Sequence, residues 1–239
     1  MNKKIIVNII AVLLILNITL ILYLFNFRLI LFDADFYQAE FEKYRVYERF
    51  GKENIDKTNS GLSAYFKDGK SNNLLDDDFF DFEEKRHLLD VKNIVQKTPS
   101  LLVWMVGIVI FLLILFYLTD FKRLTEYIPL ILIFSGAVTL IFGLILLLFV
   151  RLNFDLPFAF LHKMLFEEGT WLFSGDSNLI GMYPIGFFYD FSRGIFFNAA
   201  LHGFVLVLIG FFIRILLLGK IIKKERYLNI RKKRKIIKK

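Results

Sequence analysis

The sequence predicts an all-α, polytopic membrane protein with four transmembrane helices and an exoplasmic cap formed by two loop segments. Of its 239 residues, 56% are hydrophobic, and the mean hydropathy is +0.54, more than a soluble domain of this length carries. The apolar residues fall into four blocks, each close to the roughly 20 residues that a helix needs to cross the hydrocarbon core. Lysine and arginine flank these blocks asymmetrically, and this asymmetry predicts an orientation.

We place the four spans at about 5–26, 100–118, 128–150 and 195–218. The first block begins like a cleaved signal peptide, but a cleavage site needs small residues after the apolar core. Here the block ends mainly in leucine, tyrosine and phenylalanine. We therefore expect the first helix to be retained as a span.

Basic residues predict which side of the membrane each segment faces. Lysines precede the first span, Lys122 and Arg123 separate spans two and three, and eleven lysines and arginines lie in the tail 220–239. The positive-inside rule makes all three places cytoplasmic, so both termini face the cytoplasm. Segments 27–99 and 151–194 then form a cap on the outer face of the cytoplasmic membrane, and the whole of 1–239 is predicted to be one membrane domain.

The basic tail accounts for much of the formal net charge of +8. A run of like charge can bind nucleic acid, but this run directly follows a membrane span. A juxtamembrane basic segment instead fixes topology and contacts anionic lipid headgroups. We predict anionic lipid as the partner of the tail and no nucleic acid.

The cap is predicted to contain helices joined by loops. Aromatic residues recur at helical spacing through 36–50, which is typical of a helix at the membrane interface or packed within the cap. Segment 51–61 has the composition of a loop, and 81–96 reads as a helix that leads into span two. A further helix is predicted to begin near Asp155, two residues before Pro157.

Several kinds of chemistry have no sequence support. The chain has no cysteine, which excludes disulfides, thiol catalysis and cysteine-ligated metal. It has no Gly-rich phosphate loop, Gly-x-Ser-x-Gly elbow or Ser-x-x-Lys motif, so nucleotide-driven and conventional serine hydrolase mechanisms are disfavoured. The span centres are almost wholly leucine, isoleucine, valine and phenylalanine, which argues against a transport path.

Three histidines are the candidates for catalysis. The predicted topology places His87, His162 and His202 on or near the outer side. Histidine is common at the membrane interface, so the three residues could have only a structural role there. Alternatively, they could lie together in one functional site. The unperturbed pKa of histidine lies near neutrality, so His87 and His162 are suited to general acid–base chemistry in acyl transfer. Glu84 and Asp90 share a helix face with His87, and either could orient its imidazole.

Metal binding is the alternative use of the same residues. Glu84 and His87 have the Glu-x-x-His spacing that places two ligands on one helix face. The motif occurs once, and no His-Glu-x-x-His is present. We predict neither a metal nor another cofactor.

The ordered motifs resemble those of a family of four-span membrane proteins that includes the bacterial lipoprotein intramolecular transacylase. The resemblance runs from the first span through the fourth and leaves out the basic tail. It is carried by Glu84-Lys85-Arg86-His87-Leu88-Leu89-Asp90-Val91-Lys92, His162-Lys163-Met164-Leu165-Phe166, Trp171-Leu172-Phe173, Asp176, Leu179-Ile180, Pro184 and Phe187-Phe188, with Tyr37, Tyr44 and Tyr65-Phe66 upstream.

This resemblance implies an acyltransferase at the outer membrane face. Its partners would be membrane lipid and a diacylglyceryl-cysteine lipoprotein, which would pass its sn-2 acyl chain to its own N-terminal amine and become an N-acyl lyso-lipoprotein. The two essential histidines of the family match His87 and His162, one acting as base and the other stabilising the oxyanion. An apolar groove would hold the acyl chains, and Trp171 and Phe166 are the expected substrate-binding residues.

Position and chemistry suggest supporting roles for Tyr44, Asp190 and Arg193, beside Glu84 and Asp90. Two other functions stay open at this point. One is a non-enzymatic membrane protein whose outer cap binds lipid or a partner protein. The other is a metal-dependent membrane hydrolase.

Overall fold

A computed structural model describes residues 2–69 and 73–237, with the backbone alone from 221 onward. All regular structure in this part of the chain is helical. The helices are α1 Lys3–Leu31, α2 Ala34–Lys43, α3 Val46–Phe50, α4 Lys52–Lys67, α5 Phe82–Leu152, α6 Asp155–Leu165, α7 Asn178–Met182 and α8 Ile185–Ile237. The lipid contacts predicted for the tail depend on side chains that lie outside the described residues.

Among the described residues, three helices are long and apolar enough to cross a membrane, namely Lys3–Leu31, Phe82–Leu152 and Ile185–Lys220. The chain is therefore an all-helical, multi-pass membrane protein, as its hydropathy predicts. Within the 71 residues of α5 the backbone leaves helical geometry at Asp120, where φ is −161° and ψ is 85°. The Asp120 carboxylate accepts a hydrogen bond from the backbone N–H of Arg123 at 3.1 Å, so a second helical segment is capped there.

Residue contacts divide the chain into two units. The first comprises Met1–Leu20, Gly107–Ile141 and Ala200–Lys239, and the second comprises Ile21–Val106 and Phe142–Ala199. In the first unit α5 and α8 lie backbone to backbone, because a Cβ added at Gly136 would stand 2.2 Å from the Gly203 carbonyl oxygen. Glycine permits this close packing, as small residues commonly do between membrane helices.

The second unit has a core built from α2, α3, α4, the first turns of α5, α7 and the start of α8. Its fully buried members include Phe41, Ile55 and Met182. Local capping fixes where several of these helices begin. The Asp33 carboxylate accepts hydrogen bonds from two backbone N–H groups of α2, at 3.1 and 3.2 Å, and the Ser177 hydroxyl accepts one from Ile180 at the start of α7.

Two local predictions in the cap are wrong. Segment 51–61 is not a loop, because α4 runs through it and buries Ile55, Thr58, Leu62 and Phe66 along one face. The glycines and small polar residues favour a loop locally, but burial of that face stabilises the helix. The aromatic segment 36–50 is two helices rather than one, since Arg45 takes a left-handed conformation with φ 57° between α2 and α3.

Candidate active site

The first turn of α5 fixes the position of His87. The Asp81 carboxylate accepts from the Glu84 backbone N–H, and the Glu84 carboxylate accepts from the Asp81 backbone N–H, both at 2.8 Å. This reciprocal capping box starts the helix at a defined residue. His87 follows three residues after Glu84 on the same face and is only 8% exposed.

Glu84 joins α5 to α7. Its second carboxylate oxygen accepts hydrogen bonds from the Ser177 hydroxyl and, at 2.9 Å, from the Leu179 backbone N–H. Both oxygens of this buried carboxylate are therefore engaged away from His87. Neither Glu84 nor Asp90 makes a hydrogen bond to an imidazole among the described residues, so the structure does not place them in the orienting role considered from the sequence.

The tautomer of His162 follows from its hydrogen bond. Its Nδ1 lies 2.8 Å from the carbonyl oxygen of Phe158, one turn earlier in α6. A carbonyl oxygen can only accept, so Nδ1 carries the proton in the neutral ring. The lone pair of Nε2 is then left open to accept a proton.

The structure brings the two imidazoles side by side within an aromatic setting. The ring centroids of His87 and His162 are 6.3 Å apart, with an interplanar angle of 20°. The Phe166 ring lies 4.7 Å from His87 and 5.4 Å from His162, and Trp171 lies 5.0 Å from His162. Phe166 therefore contacts both imidazoles, and Trp171 contacts His162.

Two further aromatic residues, for which no role in the site was predicted from the sequence, also lie beside the imidazoles. Phe158 lies 4.1 Å from His162, and Phe173 lies 5.5 Å from His87, between ring centroids. Phe158 precedes His162 by four residues, so helical spacing alone places them together. Phe173 lies in an irregular segment, and its place beside His87 depends on the tertiary fold.

Burial keeps both imidazoles neutral at physiological pH. His87 lies in the cap portion of α5, before the apolar stretch at 100–118, and its burial lowers its pKa to about 4, with a smaller contribution from the neighbouring His162. Burial also lowers the pKa of His162, although the hydrogen bond to Phe158 opposes part of this change. A pair of neutral rings can offer both a proton acceptor and an N–H donor.

We predict a pH dependence of stability from His87. Its folded-state pKa is below the value near 6.5 of the unfolded chain, so no penalty exists above pH 6.5 and one grows as pH falls toward 4. At pH 5 the penalty is about 2 kcal/mol. Thermal unfolding in detergent at pH 7.5 and pH 5 should show a larger loss of stability for the wild type than for His87→Gln. Equal losses in the two proteins would contradict this.

Both imidazoles line one large apolar cavity in the second unit. Its volume is about 1100 Å³, above the roughly 300–1,000 Å³ range of drug-sized pockets. Its wall also includes Phe166 and Trp171. Two buried nitrogens, Nδ1 of His87 and Nε1 of Trp171, have no hydrogen-bond partner in the part of the chain that the structure describes. Buried polar atoms rarely stay unpaired, so their presence beside an apolar cavity points to a ligand with acceptor atoms.

Tyr44, Asp190 and Arg193 come together at another place. The Tyr44 hydroxyl donates to the Asp190 carboxylate at 2.6 Å, and an Arg193 nitrogen lies 3.1 Å from the other oxygen. Lys43, which sequence reasoning missed, also pairs with this buried carboxylate. None of these four residues lines the cavity, so they join α2 to α8 within the second unit rather than contact the imidazoles.

The remaining candidates are placed as follows. His202 belongs to the first unit and is absent from the cavity wall. Among the described side chains, no group of three or more histidine, aspartate or glutamate residues is arranged to hold a metal ion.

The fold and the cavity define a helical membrane protein with a large apolar site, in which two buried imidazoles lie side by side. The model of the family described as lipoprotein intramolecular transacylase Lit matches residues 11–188. The chain belongs to this family and is a lipoprotein intramolecular transacylase.

Solved structures of the transacylase Lit from Bacillus cereus share this fold. One, 18% identical to the chain, gives a TM-score of 0.73 and covers 92% of the chain and 98% of the solved protein. Two variants, with a histidine replaced by arginine or by alanine, each give a TM-score of 0.72 at 18% identity. They cover 94% of the chain and 96% and 97% of the respective solved proteins. No curated protein matches the chain.

Proposed function

We propose that the chain moves the sn-2 acyl chain of a diacylglyceryl-cysteine lipoprotein to the N-terminal amine of the same lipoprotein. The product is an N-acyl lyso-lipoprotein. The family match supports this reaction. The observation that carries it is the neutral imidazole pair, with ring centroids 6.3 Å apart, on the wall of a large apolar cavity. Donor and acceptor belong to one molecule, so the enzyme only has to align them.

His162 is proposed as the base. Its Nδ1–H is held by the Phe158 carbonyl, which leaves Nε2 to accept a proton from the attacking amine. The amine nitrogen forms a bond to the ester carbonyl carbon, and the bond from that carbon to the sn-2 oxygen then breaks. Burial lowers the pKa of His162, so the proton is readily returned to the departing glyceryl oxygen.

His87 is proposed as the electrophilic partner. Its burial keeps the ring neutral, so it has a single N–H and cannot give that proton away without becoming an imidazolate. It serves better as a hydrogen-bond donor to the oxygen that becomes negative during attack. The Nδ1 of His87 has no hydrogen-bond partner among the described residues, so no such bond fixes which ring nitrogen carries the N–H.

The apolar cavity is proposed to hold the acyl chain that moves. The acyl chain leaves lipid tails that are as apolar as the cavity wall, so it can enter the cavity without a large change in hydrophobic free energy. Phe166 and Trp171, which line the cavity and lie against the imidazoles, would position the ester carbonyl. Asp90 is left without a supporting contact to either ring, and the cluster of Tyr44, Asp190 and Arg193 would support the cap.

The reaction gives a sharp mass-spectrometric test. Transfer within one lipoprotein leaves its total mass unchanged, removes a free N-terminal amine and creates a free sn-2 hydroxyl. The N-terminal peptide of a purified reporter lipoprotein incubated with the chain should therefore lose its reactive α-amine at constant mass, and mild base, which cleaves esters, should leave one acyl group on it. A decrease in mass would indicate hydrolysis, and an increase would indicate acylation from another lipid. Activity lost with a chelator would favour the metal-dependent hydrolase.

The proposed topology has four spans with the cap outside. At about 1.5 Å per residue, the 71-residue α5 would be on the order of 100 Å long if straight, more than three times the hydrocarbon core. Its break at Asp120 falls beside Lys122 and Arg123, the basic turn expected in the cytoplasm. This supports two crossings by α5, with both termini of the chain inside.

The absence of cysteine makes the topology easy to test. A single cysteine at Lys122 should react with a membrane-impermeant maleimide only after the cells are opened. A single cysteine at Lys57, which is exposed in the cap, should react in intact cells. Labelling of both positions from the same side would contradict the proposed topology.

A further inference from the structure

A second, smaller pocket in the second unit is lined by two cations and no carboxylate. It has a volume of about 250 Å³. Its cations are Arg28, in the last turn of α1, and Lys67, the last residue of α4. The other lining residues are Phe32, Phe66, Gly69, Val95, Gln96 and Pro99.

Both cations contact the Phe32 ring and line the same pocket. The Arg28 guanidinium carbon is 5.4 Å, and the Lys67 Nζ 4.8 Å, from the centroid of the Phe32 ring. Neither residue has a salt bridge to any carboxylate among the described residues. Aromatic contact stabilises a cation only modestly, so an anion in the pocket that both residues line would gain two favourable charge interactions.

A hydrogen bond positions the Arg28 side chain and uses only part of its guanidinium N–H groups. One of its guanidinium nitrogens donates to the Thr98 hydroxyl at 2.5 Å, and that hydroxyl donates to the Val95 carbonyl at 2.7 Å. The remaining guanidinium N–H groups have no acceptor in the part of the chain that the structure describes. A positioned guanidinium with free donors suits a phosphate, which accepts paired charge-assisted hydrogen bonds.

The surroundings indicate the kind of phosphate. Arg28 ends an apolar helix and Pro99 precedes the predicted span 100–118, so the pocket lies where spans meet headgroups. Phe32, Phe66, Lys67 and Val95 line both this pocket and the large acyl cavity. A ligand with a phosphate in the small pocket can therefore extend an acyl chain along walls that the two cavities share.

We propose that this pocket binds the phosphate of a membrane glycerophospholipid. Arg28 donates to the phosphate oxygens from one side, and Lys67 supplies the second charge. The site is distinct from the imidazole pair and does not depend on the transacylase reaction. It gives the protein a resident bilayer lipid at the edge of the acyl cavity.

Lipid binding to the full-length protein in detergent, followed by native mass spectrometry, tests this directly. The wild type should retain one dioleoyl-phosphatidylglycerol in a saturable manner, and dioleoylglycerol, which lacks the phosphate, should not replace it. Arg28→Gln with Lys67→Gln should weaken binding by about tenfold or more, since two charge-assisted contacts are lost. Lys67→Gln alone, at an exposed helix end, should weaken it severalfold with the melting temperature unchanged.

The matched control removes two exposed cations of the same unit, by Lys57→Gln with Arg151→Gln. This pair should change binding less than twofold. An equal loss in the control would show general surface charge rather than a site and would overturn the proposal. Unchanged binding in the Arg28 and Lys67 variants, equal binding of dioleoylglycerol, or complete displacement of the lipid by millimolar inorganic phosphate would also overturn it.

Discussion

Replacing His162 by alanine is expected to reduce formation of N-acyl lyso-lipoprotein by about 10²–10⁴-fold, the usual contribution of a general base. The variant has no group at this position that can accept the proton of the amine. His162→Gln should be as inactive, because a glutamine amide fills similar space but is not a base at neutral pH. Amine reactivity and mass of a reporter lipoprotein, measured together, provide the readout.

His202→Ala is the matched control for that experiment. His202 lies outside the cavity wall, so its loss should leave the rate within about twofold of wild type. Each variant should reach the membrane in normal amount and elute as a single peak in detergent. Product formation at the wild-type rate by His162→Ala would remove this residue from the mechanism.

Replacing His87 has the second large expected effect. The relative activities of its alanine and glutamine variants should differ from those of the His162 variants. His87→Ala should lower the rate by about 10²–10³-fold, as expected when one donor to an oxyanion is lost. His87→Gln keeps a neutral N–H donor near the same place and should recover part of the activity. The proposed division of roles therefore predicts that His87→Gln is more active than His162→Gln.

This asymmetry distinguishes the two imidazoles, which alanine variants alone cannot do. If His162→Gln retained more activity than His87→Gln, the base would be His87. Equal and complete loss in both glutamine variants, with normal folding, would mean that each ring must exchange a proton. Either result would change the assigned roles and leave the family assignment intact.

Burial is the physical origin of this chemistry. A histidine in water is partly charged near neutrality, whereas burial among phenylalanine rings disfavours the charged form. The pKa of His87 is lowered to about 4 for this reason. In the proposed mechanism, the apolar surroundings that would hold the acyl chain also keep both imidazoles in the neutral state that acyl transfer needs.

Much of the fold was accessible from the sequence because its signals are local. Hydropathy predicts the long apolar helices. In the outer segments, α5 begins directly after its N-cap residue Asp81, and α6 begins at Asp155, where the sequence predicted a helix start. The prediction failed where tertiary packing outweighed composition. In α4, glycine and small polar residues suggested a loop, but burial of Ile55, Leu62 and Phe66 stabilises a helix.

Less of the candidate site could be predicted from the sequence. The sequence offered His87 and His162 as candidates, yet these residues are 75 positions apart in the chain and their proximity depends on how α5 and α6 pack. The contacts of Glu84 likewise could not be predicted from the sequence. Helical spacing placed it on the face of His87, but spacing does not indicate where a carboxylate points, and it bonds to Ser177 and Leu179.

The sequence by itself determined that this protein is helical and lies in the membrane, and that histidine is its main candidate for acid–base chemistry. These conclusions rest on hydropathy, on the distribution of charge along the chain and on which residue types are present, so they do not depend on contacts between distant residues. Only the tertiary structure decided that two imidazoles share one apolar cavity, that Nε2 of His162 is the open nitrogen, and that Arg28 and Lys67 form a cationic pocket. These features depend on which distant side chains meet and how far water is excluded, and neither is encoded in local pattern.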